Sequence, residues 1–205
     1  MRKYQIIYCD PPWSYKVWSE DKKQARGCAK RYYNTMDVKD ICSLPISEIT
    51  DKECRLFLWA TPPCLPEALE VIKAWGFEYK TIVFAWVKTN KRQSLEQYSF
   101  LPEDRIDRFY GIGYWTASNI ELCLGALKKG TKLNRQDKSI SQIVLAPIDG
   151  HSKKPNIVRE NIVKLCGDLP RIELFARNKT DGWDTIGNDV DGLDIKESLG
   201  KLIAL

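Results

Sequence analysis

Six short apolar runs divide the chain, and segments rich in proline, glycine or charge separate them. Their lengths and their β-branched and aromatic residues are typical of buried β-strands. The runs are Tyr4–Cys9 and residues 55–60, 77–87, 121–127, 142–146 and 171–176. Helices are predicted at 37–44, 66–75 and 155–166, and a short one in the tail at 193–205. Strands that alternate with helices predict an α/β fold with a mostly parallel sheet flanked by helices.

Two long polar segments, residues 14–35 and 88–118, interrupt this alternation. Both mix basic and aromatic side chains, and a loop of this length inside a compact domain is usually functional. Such a mixture suits neutralisation of a phosphate backbone together with stacking on bases. We therefore predict one domain over residues 1–205, in which these two segments recognise the substrate and residues 193–205 form a C-terminal tail.

Composition narrows the class of protein. The 205 residues fit one α/β domain, and no apolar stretch is long enough to cross a membrane. The N-terminus runs directly into the first strand and leaves no room for a signal peptide, so a cytoplasmic protein is expected. The seven cysteines form no Cys-x-x-Cys pair and the only histidine is His151, so neither a metal site nor a disulfide framework is expected.

The net charge of +5 is uneven, because basic residues concentrate in the loop-like segments. Basic loops around a site favour a polyanionic partner such as nucleic acid, although the same charge also fits an ordinary solvated surface. We expect no membrane partner, and either a monomer or a homodimer.

The most informative segment, Asp10-Pro11-Pro12-Trp13, follows the first run directly. Proline cannot donate to a sheet ladder, so the strand is predicted to stop at Asp10. Ligands of an open parallel sheet bind beyond the carboxyl ends of its strands. A carboxylate beside proline carbonyls with few competing donors suits an amine, and Trp13 adds a flat face for a ring. The same four residues also fit a plain turn followed by a core tryptophan.

Further motifs follow this segment in order. They are Y-N-T-M at 33–36, L-F-L-W-A-T at 56–61, A-W-G-F at 74–77, W-V-K-T-N at 86–90, G-Y-W at 113–115, E-L-C-L-G at 121–125, H-S-K-K-P at 151–155, I-E-L-F-A-R at 172–177 and G-W…G-N at 182–188. With these motifs the chain resembles the MT-A70 group of S-adenosylmethionine-dependent N6-adenine methyltransferases, in its bacterial or phage form. The resemblance implies a Rossmann-like methyltransferase fold with a permuted motif order, in which the strand before Asp10 comes early and much of the cofactor site comes late.

The resemblance also implies that residues 10–13 form the catalytic segment. The Asp10 carboxylate and the Pro11 carbonyl would accept the two hydrogens of adenine N6, and charge developing on the nitrogen would be stabilised. A sulfonium methyl donor needs no strong base, so in-line positioning does most of the work. Trp13, after Pro12, would stack on the extruded base, with Tyr15 in the pocket wall.

The remaining motif residues divide between cofactor and substrate. Those expected at the S-adenosylmethionine site are Asp10, Lys154, Arg177, Asn188 and Asp189. Those expected at the substrate are Tyr15, Lys16, Lys88, Asn90, Glu121 and again Lys154. The chain departs from the eukaryotic pattern after Arg177, because Asp189 replaces a glutamine and 178–179 does not reproduce a His-Asn pair.

These expectations combine into methyl transfer from S-adenosylmethionine to N6 of adenine in DNA. DNA is preferred because the chain is short and has none of the N-terminal extensions of the eukaryotic RNA enzymes. Two alternatives stay open, namely N6-adenosine methylation of RNA and a catalytically silent nucleic-acid-binding subunit of a methyltransferase complex. The intact segment at 10–13 argues against the silent subunit, since such subunits usually lose it.

Overall fold

The apolar runs form one seven-stranded sheet in the computed structural model, which describes residues 2–14, 35–90, 109–111, 113, 115–149 and 153–204. The strands are β1 (Tyr4–Cys9), β2 (Thr50–Ala60), β3 (Phe77–Thr89), β4 (Ile120–Lys128), β5 (Ile143–Pro147), β6 (Arg171–Leu174) and β7 (Asp184–Ile186). The helices are α1 (Val38–Cys42), α2 (Ile46–Ile49), α3 (Leu65–Ala74), α4 (Asn156–Cys166), α5 (Asn188–Asp191) and α6 (Ile195–Ala204), with a 3₁₀ turn at Pro62–Cys64.

The strand order across the sheet is β5-β3-β4-β2-β1-β6-β7. β1 runs parallel to both β2 and β6, β6 to β7, and β3 to β5. Only β4 is reversed, because it pairs antiparallel with both β2 and β3. The predicted α/β fold with a mostly parallel sheet and flanking helices is therefore confirmed, in agreement with a Rossmann-like methyltransferase fold.

The reversal of β4 decides which residues meet. Parallel strands bring their carboxyl ends to one edge of a sheet, and an antiparallel strand brings its amino end there. That edge, the catalytic edge, therefore holds the residues that follow β1, β2, β3, β5, β6 and β7, together with the first residues of β4. Glu121, the second residue of β4, consequently lies at the same edge as Asp10.

Alternation of side chains along the strands gives the sheet two apolar faces. One face packs beneath α1, α3 and α6, through residues such as Ile41, Val71 and Leu199. The opposite face packs beneath α4, through Val158 and Ile162. The predicted tail helix is thus part of the core, since Leu199 is fully buried.

Within the described ranges, the cysteines are free thiols, and most of them are buried.

The structure extends several predicted elements. β2 begins at Thr50, earlier than the predicted 55, and β3 continues to Thr89. β7 was not predicted, because its three residues lie in a segment rich in Asn, Asp and Gly. Most of the two predicted recognition segments, at 15–34, 91–108, 112 and 114, lies outside the described residues, so their role stays a prediction. No helix in the described ranges is long and apolar enough to span a membrane.

Candidate active site

Asp10 leaves β1 between two parallel neighbours. Its predecessor Cys9 pairs with Leu58 of β2 on one side and with Leu174 of β6 on the other. The two prolines then end the pairing, as their missing N–H groups require. The carboxylate of Asp10 is thereby placed near the middle of the catalytic edge, where two other strands end beside it.

The proline carbonyls beyond Asp10 are not bare. The Trp13 N–H donates to the Pro11 carbonyl at 2.8 Å, and the Met36 N–H donates to the Pro12 carbonyl at 2.9 Å. The expectation of few competing donors is therefore wrong, because the chain supplies these donors itself. Since a carbonyl oxygen has two lone pairs, the Pro11 carbonyl keeps capacity for one further donor.

Trp13 fastens this strand exit to the neighbouring strand. Its indole Nε1–H donates to the Trp59 carbonyl at 2.9 Å, and its side chain belongs to the buried core under α1 and α3. The residue is 5 % exposed. The buried Trp13 ring thus supports Pro11-Pro12, the Pro-Pro segment, from below. Stacking of Trp13 on a base stays a prediction, and the burial of the ring does not favour it.

A chain of alternating charges runs from Asp10 across the catalytic edge. Lys154 Nζ lies 2.6 Å from Asp10 Oδ2 and 3.0 Å from Glu121 Oε2. The other Glu121 oxygen, Oε1, lies 2.6 Å from Lys88 Nζ. The side chains of Lys154 and Glu121 are only 5 % and 7 % exposed. We call Asp10, Lys154, Glu121 and Lys88 the ion chain.

Burial and charge set the protonation of the ion chain. Burial raises the pKa of Asp10 above its usual 3.8, and the Lys154 ammonium opposes that rise while Glu121 adds to it. Burial would also raise the pKa of Glu121, yet the two ammonium groups of Lys154 and Lys88 outweigh it and lower that pKa. Burial acts to lower the pKa of Lys154, but the two carboxylates beside it raise it overall. Lys154 and Glu121 are therefore held in their charged forms, whereas Asp10 is left with raised basicity.

Tryptophan rings form the floor under the two lysines. Lys154 Nζ lies 5.6 Å from the centre of the Trp59 ring, and Lys88 Nζ lies 5.2 Å from that of Trp86. The two rings meet edge to face at 6.4 Å. Cation–π attraction adds to the ion pairs here and helps to hold both ammonium groups at this depth.

The exit of β6 brings a second set of residues to Asp10. Phe175 has a φ of 58°, unusual for a residue other than glycine, and the chain turns there towards Arg177. At the β7 exit, a Cβ on Gly187 would lie 2.5 Å from the Ala176 carbonyl oxygen, so only glycine allows this approach. The approach brings Asn188 and Asp189 beside the β6 exit.

Two cavities open at this junction. The α4-side cavity, of about 850 Å³, lies against α4 and includes Tyr8, Lys154 and Trp183 in its wall. The α6-side cavity, of about 830 Å³, is bounded by the Pro-Pro segment, Asn188, Asp189 and residues 194–196. Asp10, Phe175 and Arg177 line both. Asp10 Oδ2 is taken by Lys154.

The catalytic edge gathers most of the residues predicted from the sequence. Asp10, Pro11, Pro12, Lys154, Arg177, Asn188 and Asp189 border one or both cavities, and Lys88 and Glu121 belong to the ion chain. Asn90 follows β3 at this edge but borders neither cavity. Tyr15 and Lys16 lie outside the described residues. Across the described ranges, no group of three or more His, Cys, Asp or Glu side chains is arranged to hold a metal ion.

Sequence reasoning missed two parts of the cavity walls. In the α4-side cavity, Arg159 Nε donates to Glu173 Oε2 at 2.7 Å, and the guanidinium lies 5.2 Å from the centre of the Tyr8 ring. The charged Glu173 in the middle of an apolar strand was the available signal. In the α6-side cavity, the sequence around Asp194 gave no signal of a role in the site. Only the packing of α6 brings Asp194 to the wall of this cavity.

Comparison with known proteins shows to which family the chain belongs. The MT-A70 family model matches residues 4–189, which is most of the chain. The chain belongs to the MT-A70 family. The MT-A70 resemblance read from the ordered motifs is thus confirmed, and with it the enzyme class of an adenine-N6 methyltransferase.

Relatives of this MT-A70 chain come from bacteria and animals. It is 31 % identical to the type II methyltransferase M.MunI of Mycoplasma sp., over 92 % of this chain and 78 % of that protein. It is 27 % identical to the human N(6)-adenosine-methyltransferase catalytic subunit METTL3, over 94 % of this chain and 29 % of that one. The human N(6)-adenine-specific methyltransferase METTL4 is 26 % identical, over 92 % and 38 %. The chain therefore spans most of the bacterial relative and less than half of the two human ones.

Proposed function

We propose that this chain transfers the methyl group of S-adenosylmethionine to N6 of adenine in DNA, and that Asp10 holds the amine. The observation that carries the proposal is the position of the Asp10 carboxylate. It lies where the α4-side and α6-side cavities meet, with Oδ2 fixed by Lys154. A transfer between two bound molecules needs such a group at the boundary of their sites.

The chemistry follows from that carboxylate. Adenine N6 is a weak nucleophile because its lone pair is delocalised into the ring, and it gains positive charge as a methyl group is added. A fixed carboxylate that accepts one N6–H stabilises that charge and orients the lone pair, and the Pro11 carbonyl has capacity for the other hydrogen. The raised pKa of Asp10 also suits it to receive the proton that the methylated amine loses.

The wall chemistry of the junction fits S-adenosylmethionine, which joins a purine nucleoside to a zwitterionic amino acid. Arg177 offers a cation for a carboxylate, whereas the Lys154 ammonium is already paired with Asp10 and Glu121. Asn188 and Asp189 offer hydrogen-bonding groups for ribose hydroxyls. Because residue 187 is a glycine, that part of the wall consists of backbone and not of a side chain. The bound cofactor supplies an electrophilic methyl group, and the residues named here hold it against the amine.

The choice of DNA is supported by the bacterial relative, whose name is that of a type II methyltransferase and most of whose length the chain spans. RNA is the second candidate, because METTL3 carries N(6)-adenosine in its name, although the chain spans only 29 % of it. A silent nucleic-acid-binding subunit is the third, and the intact segment at residues 10–13 argues against it, since such subunits usually lose it.

Incubation with methyl-labelled S-adenosylmethionine and either unmethylated DNA or RNA tests the proposal. We expect label in DNA, recovered as N6-methyladenine and not as N4-methylcytosine. Asp10→Asn keeps the size of the side chain and should lower kcat by about 100- to 1000-fold, because a charged group aimed at the transition state is lost. Cofactor affinity should change little. The loss of the ion pair with the buried Lys154 should lower the unfolding midpoint, so kcat is measured per folded molecule.

Asp51→Asn is the matched control, since it makes the same chemical change near the amino end of β2, at the far edge of the sheet. Turnover retained by Asp10→Asn would contradict the role of Asp10. Label in RNA alone would replace DNA with RNA. Nucleic-acid binding without any cofactor binding would favour the silent subunit.

A further inference from the structure

The chain reverses tightly just before β4. Gly111 and Ser118 pair antiparallel through two backbone hydrogen bonds of 3.0 and 3.1 Å. A Cβ on Gly113 would lie 2.1 Å from the Thr116 carbonyl oxygen, so the reversal depends on glycine there. We call the described residues Gly111, Gly113 and 115–118 the aromatic turn, because of the Trp115 ring that it carries.

The aromatic turn and the residue before it carry the two most exposed large apolar side chains of the described ranges. Trp115 is 90 % exposed and Tyr110, beside the first residue of the turn, is 70 % exposed. A tryptophan offers a broad apolar face that folding normally removes from water. Its presentation on a closed, glycine-dependent turn indicates a surface that contacts another molecule.

The aromatic turn is tied to the ion chain. The Phe109 N–H donates to the Lys88 carbonyl at 3.0 Å, and the Lys88 N–H donates to the Asn119 carbonyl at 2.8 Å. The backbone of Lys88 therefore holds the chain on both sides of the turn, and its side chain pairs with Glu121 in the site. Trp115 precedes Glu121 by six residues, so their Cα atoms are at most about 20 Å apart. That distance covers about six steps of a stacked strand at 3.4 Å each.

We propose that Trp115 stacks on a nucleobase of the DNA substrate that flanks the target adenine. The proposal rests on the proposed function, which supplies a nucleic acid at the catalytic edge. The exposed indole face is the chemistry that an unpaired or unstacked base recognises, whatever its identity. Extrusion of an adenine breaks stacking on both of its neighbours, and an aromatic ring at the rim of the site replaces part of it.

Binding of a labelled, mixed-sequence duplex oligonucleotide at several salt concentrations tests the proposal. Trp115→Ala should weaken binding about tenfold or more at each salt concentration. The slope of log Kd against log salt should stay that of the wild type, because the indole contacts no phosphate. Trp115→Phe should recover most of the affinity.

Tyr79→Ala is the control, since Tyr79 is also an exposed aromatic residue but lies near the amino end of β3, away from the catalytic edge. Wild-type binding by Trp115→Ala would overturn the proposal. A shallower salt slope, a lowered unfolding midpoint or a changed oligomeric state in that variant would also overturn it, in favour of an electrostatic, structural or self-association role. An effect on RNA alone would overturn the assignment to DNA.

The two proposals fail separately. A wild-type chain that binds DNA through Trp115 but transfers no methyl group would overturn the proposed function and leave the stacking contact. An active wild type whose DNA binding is unaffected by Trp115→Ala would overturn only the stacking contact.

Discussion

The environment of Asp10 explains how one carboxylate serves methyl transfer. It has to be ionised to hold an amine, yet basic enough to receive a proton as the reaction ends. Burial and Glu121 raise its pKa, while Lys154, 2.6 Å away, opposes them. The position of Asp10 is thus set by β1, and its basicity by burial and by charged residues from elsewhere in the chain, with Lys154 and Arg177 opposing Glu121.

This balance predicts the pH dependence of the reaction. Because the pKa of Asp10 is raised, kcat/KM for the nucleic acid should fall with decreasing pH through a value above 3.8, the usual pKa of an aspartate. Lys154→Gln removes a group that lowers this pKa and should move the acid limb to higher pH. Glu121→Gln removes a group that raises it and should move the limb to lower pH.

The measurement is the pH profile of kcat/KM for the nucleic acid at saturating cofactor, with Glu78→Gln at the far end of β3 as the control. The direction of each shift is the readout, because both variants also lower the absolute rate. Shifts of the same sign in both variants would contradict the proposed opposition of Lys154 and Glu121.

Trp13 gives a second prediction at this scale. Trp13→Phe removes the donor to the buried Trp59 carbonyl and part of a buried ring, so the free energy of unfolding should fall by about 2 kcal/mol. Turnover per folded molecule should stay within a few-fold of the wild type. Urea unfolding and steady-state kinetics measure the two quantities. Unchanged stability together with a raised KM for nucleic acid would instead favour stacking on the base.

At the scale of elements, the exits of the strands and the mostly parallel sheet were predictable, and the reversal of β4 was not. The Pro-Pro segment fixes the end of β1 from local chemistry alone. Nothing in the apolar pattern of β4 states that it is antiparallel, because alternation along a strand is the same in either direction. The short β7 depends on its pairing with β6 rather than on its own sequence, so its Asn/Asp/Gly-rich surroundings concealed it.

The pairing of β3 with β4 gives a third prediction. The register of β3 shifts between Ile82 and Phe84, and a Cβ on Gly125 would lie 2.2 Å from Cγ2 of the intervening Val83. Valine is stiff at χ1 and cannot move aside, so Gly125→Ala should lower the free energy of unfolding by about 1–3 kcal/mol.

Adding Val83→Ala should make the Gly125 substitution cost less than it does alone, since the clash is then gone. A double-mutant cycle measured by urea unfolding gives the coupling between the two positions. If the changes in the free energy of unfolding were additive, a direct contact would be contradicted. Ala126→Gly on the same strand is the control, because it gives the cost of exchanging one small residue for another.

At the scale of the whole molecule, the site exists only through long-range pairing. Asp10 and Lys154 are 144 residues apart in sequence, and the α6-side cavity joins the start of the chain to its last helix. The ordered motifs named most of these residues, but could not state that Lys154 is buried between two carboxylates. Which partners a charged residue has depends on the folded arrangement of several elements.

The two cavities differ in which distant segments they join, and this difference predicts where the cofactor binds. The α6-side cavity includes Asn188, Asp189 and Asp194, and Asp194 Oδ1 accepts the Lys196 N–H at 2.7 Å at the start of α6. A nucleoside held there would have to leave before α6 can open. At 100 times its Kd, S-adenosylmethionine should therefore slow hydrogen exchange in α6 by up to about 100-fold. Exchange followed by mass spectrometry measures this, with α3 as an unaffected control. Protection of α4 in place of α6 would put the nucleoside in the α4-side cavity, and protection of neither helix would contradict cofactor binding at the junction around Asp10.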